Sequence, residues 1–127
     1  MVCGRVGAMV ATALWGEGHR VVVLDPNPES LRRLPEELQQ EAIVGDGTLE
    51  EDLRKGGIEN ADAFVAVSTE DTANVLAAQM AQHVFRVNKV ICRIDDTARY
   101  EIYTELGLKA VSSTHLLSDL ILQTVYS

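Results

Sequence analysis

Val21-Val22-Val23-Leu24 runs without a polar interruption into Asp25-Pro26. A strand with one wet face alternates apolar and polar residues, whereas a run that does not alternate is buried on both faces, as in a parallel sheet covered by helices. Apolar positions after Gly7 fall at helical spacing through Val10, Ala13 and Leu14 and stop at Gly16-Glu17-Gly18, which predicts a helix over 5–16 and then a strand over 20–24. The alternation continues: helix 28–34, strand 41–44, helix 49–55, strand 63–67, a long amphipathic helix 71–85, strand 89–94, helix 98–106 and strand 109–111. Ser113-Thr114 then read as the cap of a terminal helix over 114–126. Strands separated by helices imply right-handed crossovers, so the expected fold is α/β, a doubly wound, mainly parallel sheet with helices on both faces.

At 127 residues with no linker, repeat or low-complexity stretch, residues 1–127 are expected to form one domain. Aromatic residues are 5% of the chain, so the core must be built from Val, Leu, Ile and Ala. The net charge of −8 argues against a broad nucleic-acid surface, because phosphate backbones are held by clustered Lys and Arg. An anion would have to be gripped locally. Cys3 and Cys92 match no metal-ligand spacing and read as reduced thiols in a cytoplasmic setting. The chain shows no signal peptide and no apolar run near the ~18 residues that a membrane helix requires, so it is not expected to enter a membrane itself.

Gly4 and Gly7 have the spacing of the second and third glycines of a dinucleotide-binding turn, in which glycines admit the backbone to a pyrophosphate and the next helix aims its first N–H groups at it. Val2 stands where the first glycine belongs, and the strand that should lead in is truncated or absent. Arg5 and Val6 lie inside the turn, where the Arg5 guanidinium can reach phosphate oxygens. Asp25 ends the next strand roughly twenty residues on, the place from which a carboxylate accepts ribose hydroxyls. With Pro26 it is also an ordinary Asp-Pro turn, though its placement favours the ribose. Gly45-Asp46-Gly47-Thr48 follows the next strand and opens on the same crevice; its backbone and Asp46 can contact adenine, or Thr48 can simply cap a helix. Ser68 and Thr69, and Asn74 one turn later, line the crevice or cap the following helix.

For catalysis the chain offers little. His19, His83 and His115 have no nucleophile or carboxylate partner in sequence and read as surface residues. Cys3 reads as a small residue filling tight space and Cys92 as core, while Arg93, beside Asp95 and Asp96, can reach a ligand or a partner chain or, by slight preference, form a local ion pair. Leu116, Leu117, Leu120, Ile121, Leu122 and Val125 cover more of the last helix than one core-facing stripe needs. An outer helix on its own sheet and a helix crossing to a second subunit account for this equally.

Together, Cys-Gly-Arg-Val-Gly at 3–7, Gly18-His19 before Val-Val-Val-Leu-Asp at 21–25, Ile-Val-Gly-Asp-Gly-Thr at 43–48, Gly-Ile-Glu-Asn-Ala-Asp-Ala at 57–63 and Asp-Thr-Ala-Asn at 71–74 resemble the N-terminal domain of Trk-type potassium-uptake regulators. This domain is also called TrkA-N, RCK or KTN. The resemblance implies a Rossmann-fold cytoplasmic module that binds NAD or NADH, or alternatively ATP or ADP. It implies a regulator rather than an enzyme, gating a potassium transporter or channel at the inner face of the membrane and pairing through its last helix into a homodimer or larger ring. Carried over by position, Gly4, Arg5, Val6 and Gly7 match the phosphate loop, Asp25 and Pro26 the ribose segment, Gly45, Asp46 and Gly47 the adenine-side loop, and Ser68 and Thr69 the segment near the ligand's far half. By the same comparison, the family's first strand and first glycine, and the C-terminal ligand-binding subdomain that often follows, are expected to be absent from residues 1–127. The rival reading is a small NAD-dependent oxidoreductase or the cofactor-binding half of one.

Overall fold

The computed structural model describes residues 4–127, so the readings of Val2 and Cys3 lie outside the described residues. In chain order the elements are α1 (Arg5–Gly16), β1 (Leu24–Asp25), a 3-10 turn (Pro28–Arg33), α2 (Glu36–Glu41), β2 (Ile43–Val44), α3 (Glu50–Lys55), a second 3-10 turn (Ile58–Asn60), β3 (Ala63–Ala66), α4 (Asp71–His83), β4 (Lys89–Arg93), α5 (Thr97–Glu105), β5 (Ala110–Val111) and α6 (Ser113–Tyr126). The alternation expected from the sequence is thus present along the whole described chain.

All strand pairs are parallel: β1 with β2, β3 with β4, and β4 with β5. They form two sheets, of order β1-β2 and β3-β4-β5. A doubly wound sheet of this order places one more strand between β1 and β3. Among the described residues no strand lies there, so β1 and β3 each carry a ladder on one edge only. β1 is shorter than the 20–24 run suggested: a strand is held by its neighbours, and among the described residues β1 has only the two-residue β2 beside it.

Two apolar clusters cover the two faces. Val23, completely buried, joins Ala8 and Ala11 of α1 and Leu31, Leu34 and Leu38. Its neighbour Leu24 points the other way, into a cluster with Leu53 of α3, Val75, Ala78 and Ala81 of α4, and Val90 and Cys92 of β4. Successive strand residues serve opposite layers, as the unbroken apolar run requires. Each fully buried aliphatic side chain contributes about 1.5–3 kcal/mol. Cys92 is core, as expected, and burial and then the Asp71 charge push its thiol up to about 12.

Helix α1 ends as Gly16-Glu17-Gly18 suggested. Gly18 takes a φ of +94°, its N–H reaches the Trp15 carbonyl at 3.0 Å, and the His19 N–H reaches Leu14 at 3.1 Å. This is the paired closure that glycine makes cheap. Other boundaries differ. The expected helix over 28–34 is a 3-10 turn followed by the separate α2, so Glu41 is helical and β2 starts only at Ile43. Helix α4 stops at His83 because the chain reverses through Arg86, whose φ is +53°. Helix α6 is capped by Ser112, not by Ser113-Thr114: the Ser112 hydroxyl accepts the His115 N–H at 3.2 Å.

Candidate functional site

A cavity of about 310 Å³ opens where the strands present their carboxyl ends. Pro26 follows β1, Asp46, Gly47 and Thr48 follow β2, Ser68, Thr69 and Glu70 follow β3, and Ala73, Asn74 and Ala77 come from α4. Phe64 and Ala66 of β3 complete the lining. The turns contribute polar lining residues and β3 and α4 apolar ones, in the crevice where open parallel sheets receive ligands.

Each wall is built by a turn. After β1, Asp25 is 1% exposed and its Oδ1 accepts the Asn27 N–H at 2.8 Å. Asn27 Oδ1 in turn accepts the Glu29 N–H at 3.0 Å, starting the 3-10 turn. Asp25 therefore does hold the Asp-Pro turn, and Pro26 rather than Asp25 reaches the cavity wall. After β2, Asp52 Oδ2 accepts the Asp46 N–H at 2.8 Å. Asp46 Oδ1 accepts both the Thr48 hydroxyl, at 2.6 Å, and the Thr48 N–H, at 2.8 Å. These two bonds hold the Asp46 carboxyl below its usual range, against a smaller opposing effect of burial. Thr48 closes this turn and does not cap α3, whose N-cap is Leu49.

After β3, Asn74 acts as a clamp. Its side-chain oxygen accepts the Ser68 N–H at 2.9 Å and the Ser68 hydroxyl at 2.6 Å, while its nitrogen donates to the Ser68 carbonyl at 2.8 Å and the Arg93 carbonyl at 2.9 Å. One buried amide thereby ties the ends of β3 and β4 together. Asp71 extends the tie: its two carboxylate oxygens accept the Asp95 and Asp96 N–H groups, each at 2.9 Å. Asp95 then meets Arg93 through Nη2 at 2.8 Å and Nε at 2.9 Å, and accepts the Ser113 N–H and hydroxyl at the start of α6. Burial pushes the Asp95 carboxyl up, but the bonds from Arg93 and Ser113 and the Arg93 charge outweigh it and hold the group below its usual range. The local ion pair expected for Arg93 is present.

Of the residues singled out from sequence, Pro26, Asp46, Gly47, Thr48, Ser68, Thr69 and Asn74 meet at the cavity. Gly4, Arg5, Val6, Gly7, Asp25 and Gly45 are not on its wall. Gly4 is the N-cap of α1 with extended backbone and no side-chain cap, Arg5 and Val6 are exposed beside it, and Gly7 is buried. Phe64, Ala66, Glu70, Ala73 and Ala77 were not foreseen. Their signal was available in the spacing: Phe64, Ala66 and Ser68 share one face of a strand, and Ala73 and Ala77 one face of a helix. His19 and His83 are surface residues, but His115 is half-buried, stacked on Tyr100 with centroids 4.6 Å apart and with Nδ1 3.0 Å from the Ser112 hydroxyl. Its start-of-helix position packs it onto α5. None of the three lines the cavity.

Comparison with known proteins gives a consistent result. Residues 1–114 match the family described as the TrkA-N domain. The Trk system potassium uptake protein TrkA of Streptomyces coelicolor is 42% identical over 123 residues, which is 97% of this chain and 55% of that protein. A TrkA homolog of Pyrococcus abyssi is 38% identical over 106 residues, covering 84% of this chain and 47% of that protein. The chain thus spans about half the length of these curated relatives. Among solved structures, the TrkA-N domain of inner membrane protein ybaL from Escherichia coli superposes with a TM-score of 0.82 at 18% identity, over 95% of this chain and 90% of that one. The NAD(P)-binding domain of an exopolyphosphatase-related protein from Archaeoglobus fulgidus gives 0.77 at 19% identity, over 98% and 92%. Both likenesses concern the fold, which is Rossmann-like.

Proposed function

Because the chain belongs to the TrkA-N domain family, we propose that it is the nucleotide-binding regulatory module of a Trk-type potassium uptake system, with NAD or NADH as its ligand and ATP or ADP as the alternatives. The observation that carries this reading is the cavity at the carboxyl ends of β1, β2 and β3, with the uncapped start of α1 belonging to the same fold. Its volume of about 310 Å³ suits a nucleoside. The donor set suits the rest of a dinucleotide. The first N–H groups of α1 meet no side-chain cap, and Arg5 is exposed beside them, so a pyrophosphate finds both dipole and charge there.

In this reading Asp46 and Gly47 hold the base, Pro26 borders the ribose on the turn that buried Asp25 holds, Gly4 to Gly7 take the pyrophosphate, and Ser68 and Thr69 the far half, with Gly45 shaping the base-side loop. The ligand supplies occupancy and charge, and no bond is made or broken. A dehydrogenase would need a proton-transfer group placed against the nicotinamide, a role that surface His19 and His83 and the stacked His115 are poorly set to fill. Regulation follows from differential binding: a ligand that prefers one arrangement of the glycine turn and neighbouring helices shifts the module toward it. The apolar α6, none of whose residues is buried, pairs with a second copy, and the pair passes the shift to a potassium transporter or channel at the cytoplasmic face of the membrane. Calorimetric titration of the folded protein with NAD, NADH, ATP and ADP tests the reading. Saturable binding of NAD or NADH is the expected result, and silence toward all four would overturn it.

A further inference from the structure

The charged residues lining the cavity are Asp46 and Glu70, both acidic, and no Lys or Arg is among the described lining residues. Asp46 is fixed in its turn by Thr48 and stays ionised. Glu70 is different. It is the N-cap residue of α4, its side chain makes no capping bond, and its hydrogen bonds to Ser68 run through backbone atoms. The nearby guanidinium groups already face acids: Arg93 holds Asp95 at 2.8 Å, and Arg99 lies 3.8 Å from Asp71.

The position of Glu70 is telling because α4 is a 13-residue helix whose first turns, through Ala73, Asn74 and Ala77, face the cavity. A helix start ordinarily offers dipole and N–H groups to a phosphate. Here Glu70 and Asp71 occupy that end with their own negative charge. The apolar lining residues Phe64, Ala66, Ala73 and Ala77 screen that field less than water would.

We infer that Glu70 determines specificity by charge: the cavity takes the uncharged nucleoside part of a nucleotide and disfavours ligands that bring additional phosphate charge to it. This inference rests on the nucleotide-binding reading above. It makes NAD, whose nicotinamide cation offsets part of its diphosphate, a better ligand than ATP, which shares its adenosine but ends in free phosphates.

The test is titration of the wild-type chain and Glu70→Gln with adenosine, NAD, NADH, ADP and ATP, in low salt with a chelator to remove magnesium. In wild type NAD binds more tightly than ATP. In Glu70→Gln the affinity for ATP rises about fivefold, on the order expected of one partly screened unit charge. The gain is smaller for ADP and least for adenosine. Raising the salt reduces the difference between the two proteins. Equal gains for adenosine and ATP, or no gain for ATP, overturn the inference while leaving nucleotide binding intact. Failure of all five ligands to bind the folded wild type instead removes the nucleotide reading, and this inference with it.

Discussion

A Cβ placed on Gly45 would lie 3.0 Å from Asp52 Oδ2 and 3.0 Å from Leu24 Cδ1, whereas one on Gly47 would meet only Leu24 Cδ2, at 3.9 Å. In sequence the two glycines of Gly-Asp-Gly look equivalent, both parts of one loop. The structure separates them. Leu24 is buried and Asp52 is committed to the Asp46 N–H, so neither yields easily to a methyl group at position 45. Gly45→Ala is expected to cost about 1–3 kcal/mol, and Gly47→Ala under about 1 kcal/mol, as read from urea denaturation midpoints. Equal stabilities for the two variants would refute the assignment. Asp25 shows the same limit of sequence: its place at a strand end was legible, but only coordinates reveal that its Oδ1 already accepts the Asn27 N–H. Side-chain partners distant in the chain, such as Asn74 with the Arg93 carbonyl, leave no periodic trace.

Elements with a strong apolar period and a clear stop were legible. Helix α1 runs over Arg5–Gly16 as expected because apolar spacing and a left-handed glycine closure agree. Helix α2 was missed because Glu36–Glu41 buries only Leu38, so no stripe marks it, and Pro35 stands where a polar cap residue would. For α6 the sequence left two outcomes equal. The structure buries none of its residues, leaving Leu117 60% and Ile121 53% exposed on one face, and ties its first turn through Ser113 to Asp95. Contiguous exposed apolar faces of this kind mark interaction sites. Sedimentation equilibrium should find a dimer that the double variant Leu117→Glu/Ile121→Glu dissociates without loss of helical circular dichroism. A wild-type monomer at high micromolar concentration would refute pairing through α6.

At the scale of the molecule, the doubly wound arrangement was legible from unbroken apolar runs alternating with helices, because both follow from burial on two faces. Cavity placement was legible too, since carboxyl ends of parallel strands converge. The charges that hold this arrangement have a pH signature. Asp46 and Asp95 are both held below the ordinary carboxylate range by bonds that exist only in the folded chain. Their contribution is complete above the unfolded value of about 3.9 and is lost as pH falls through the folded values. The urea midpoint is therefore expected to decline below about pH 4. Asp95→Asn, which gives up the charge on the Arg93 and Ser113 bonds, should flatten part of that decline; an unchanged slope would assign the acid sensitivity elsewhere.

The interruption between β1 and β3 has a consequence for how the molecule comes apart. A continuous sheet transmits unfolding through its backbone ladder, so every strand shares the fate of its neighbour. Here, among the described residues, the β1-β2 pair and the β3-β4-β5 sheet share side-chain contacts around Leu24 but no strand pairing. In native-state hydrogen exchange the amides of β1 and β2 are expected to lose protection before those of the three-stranded half, which is braced by Asn74 and Asp71.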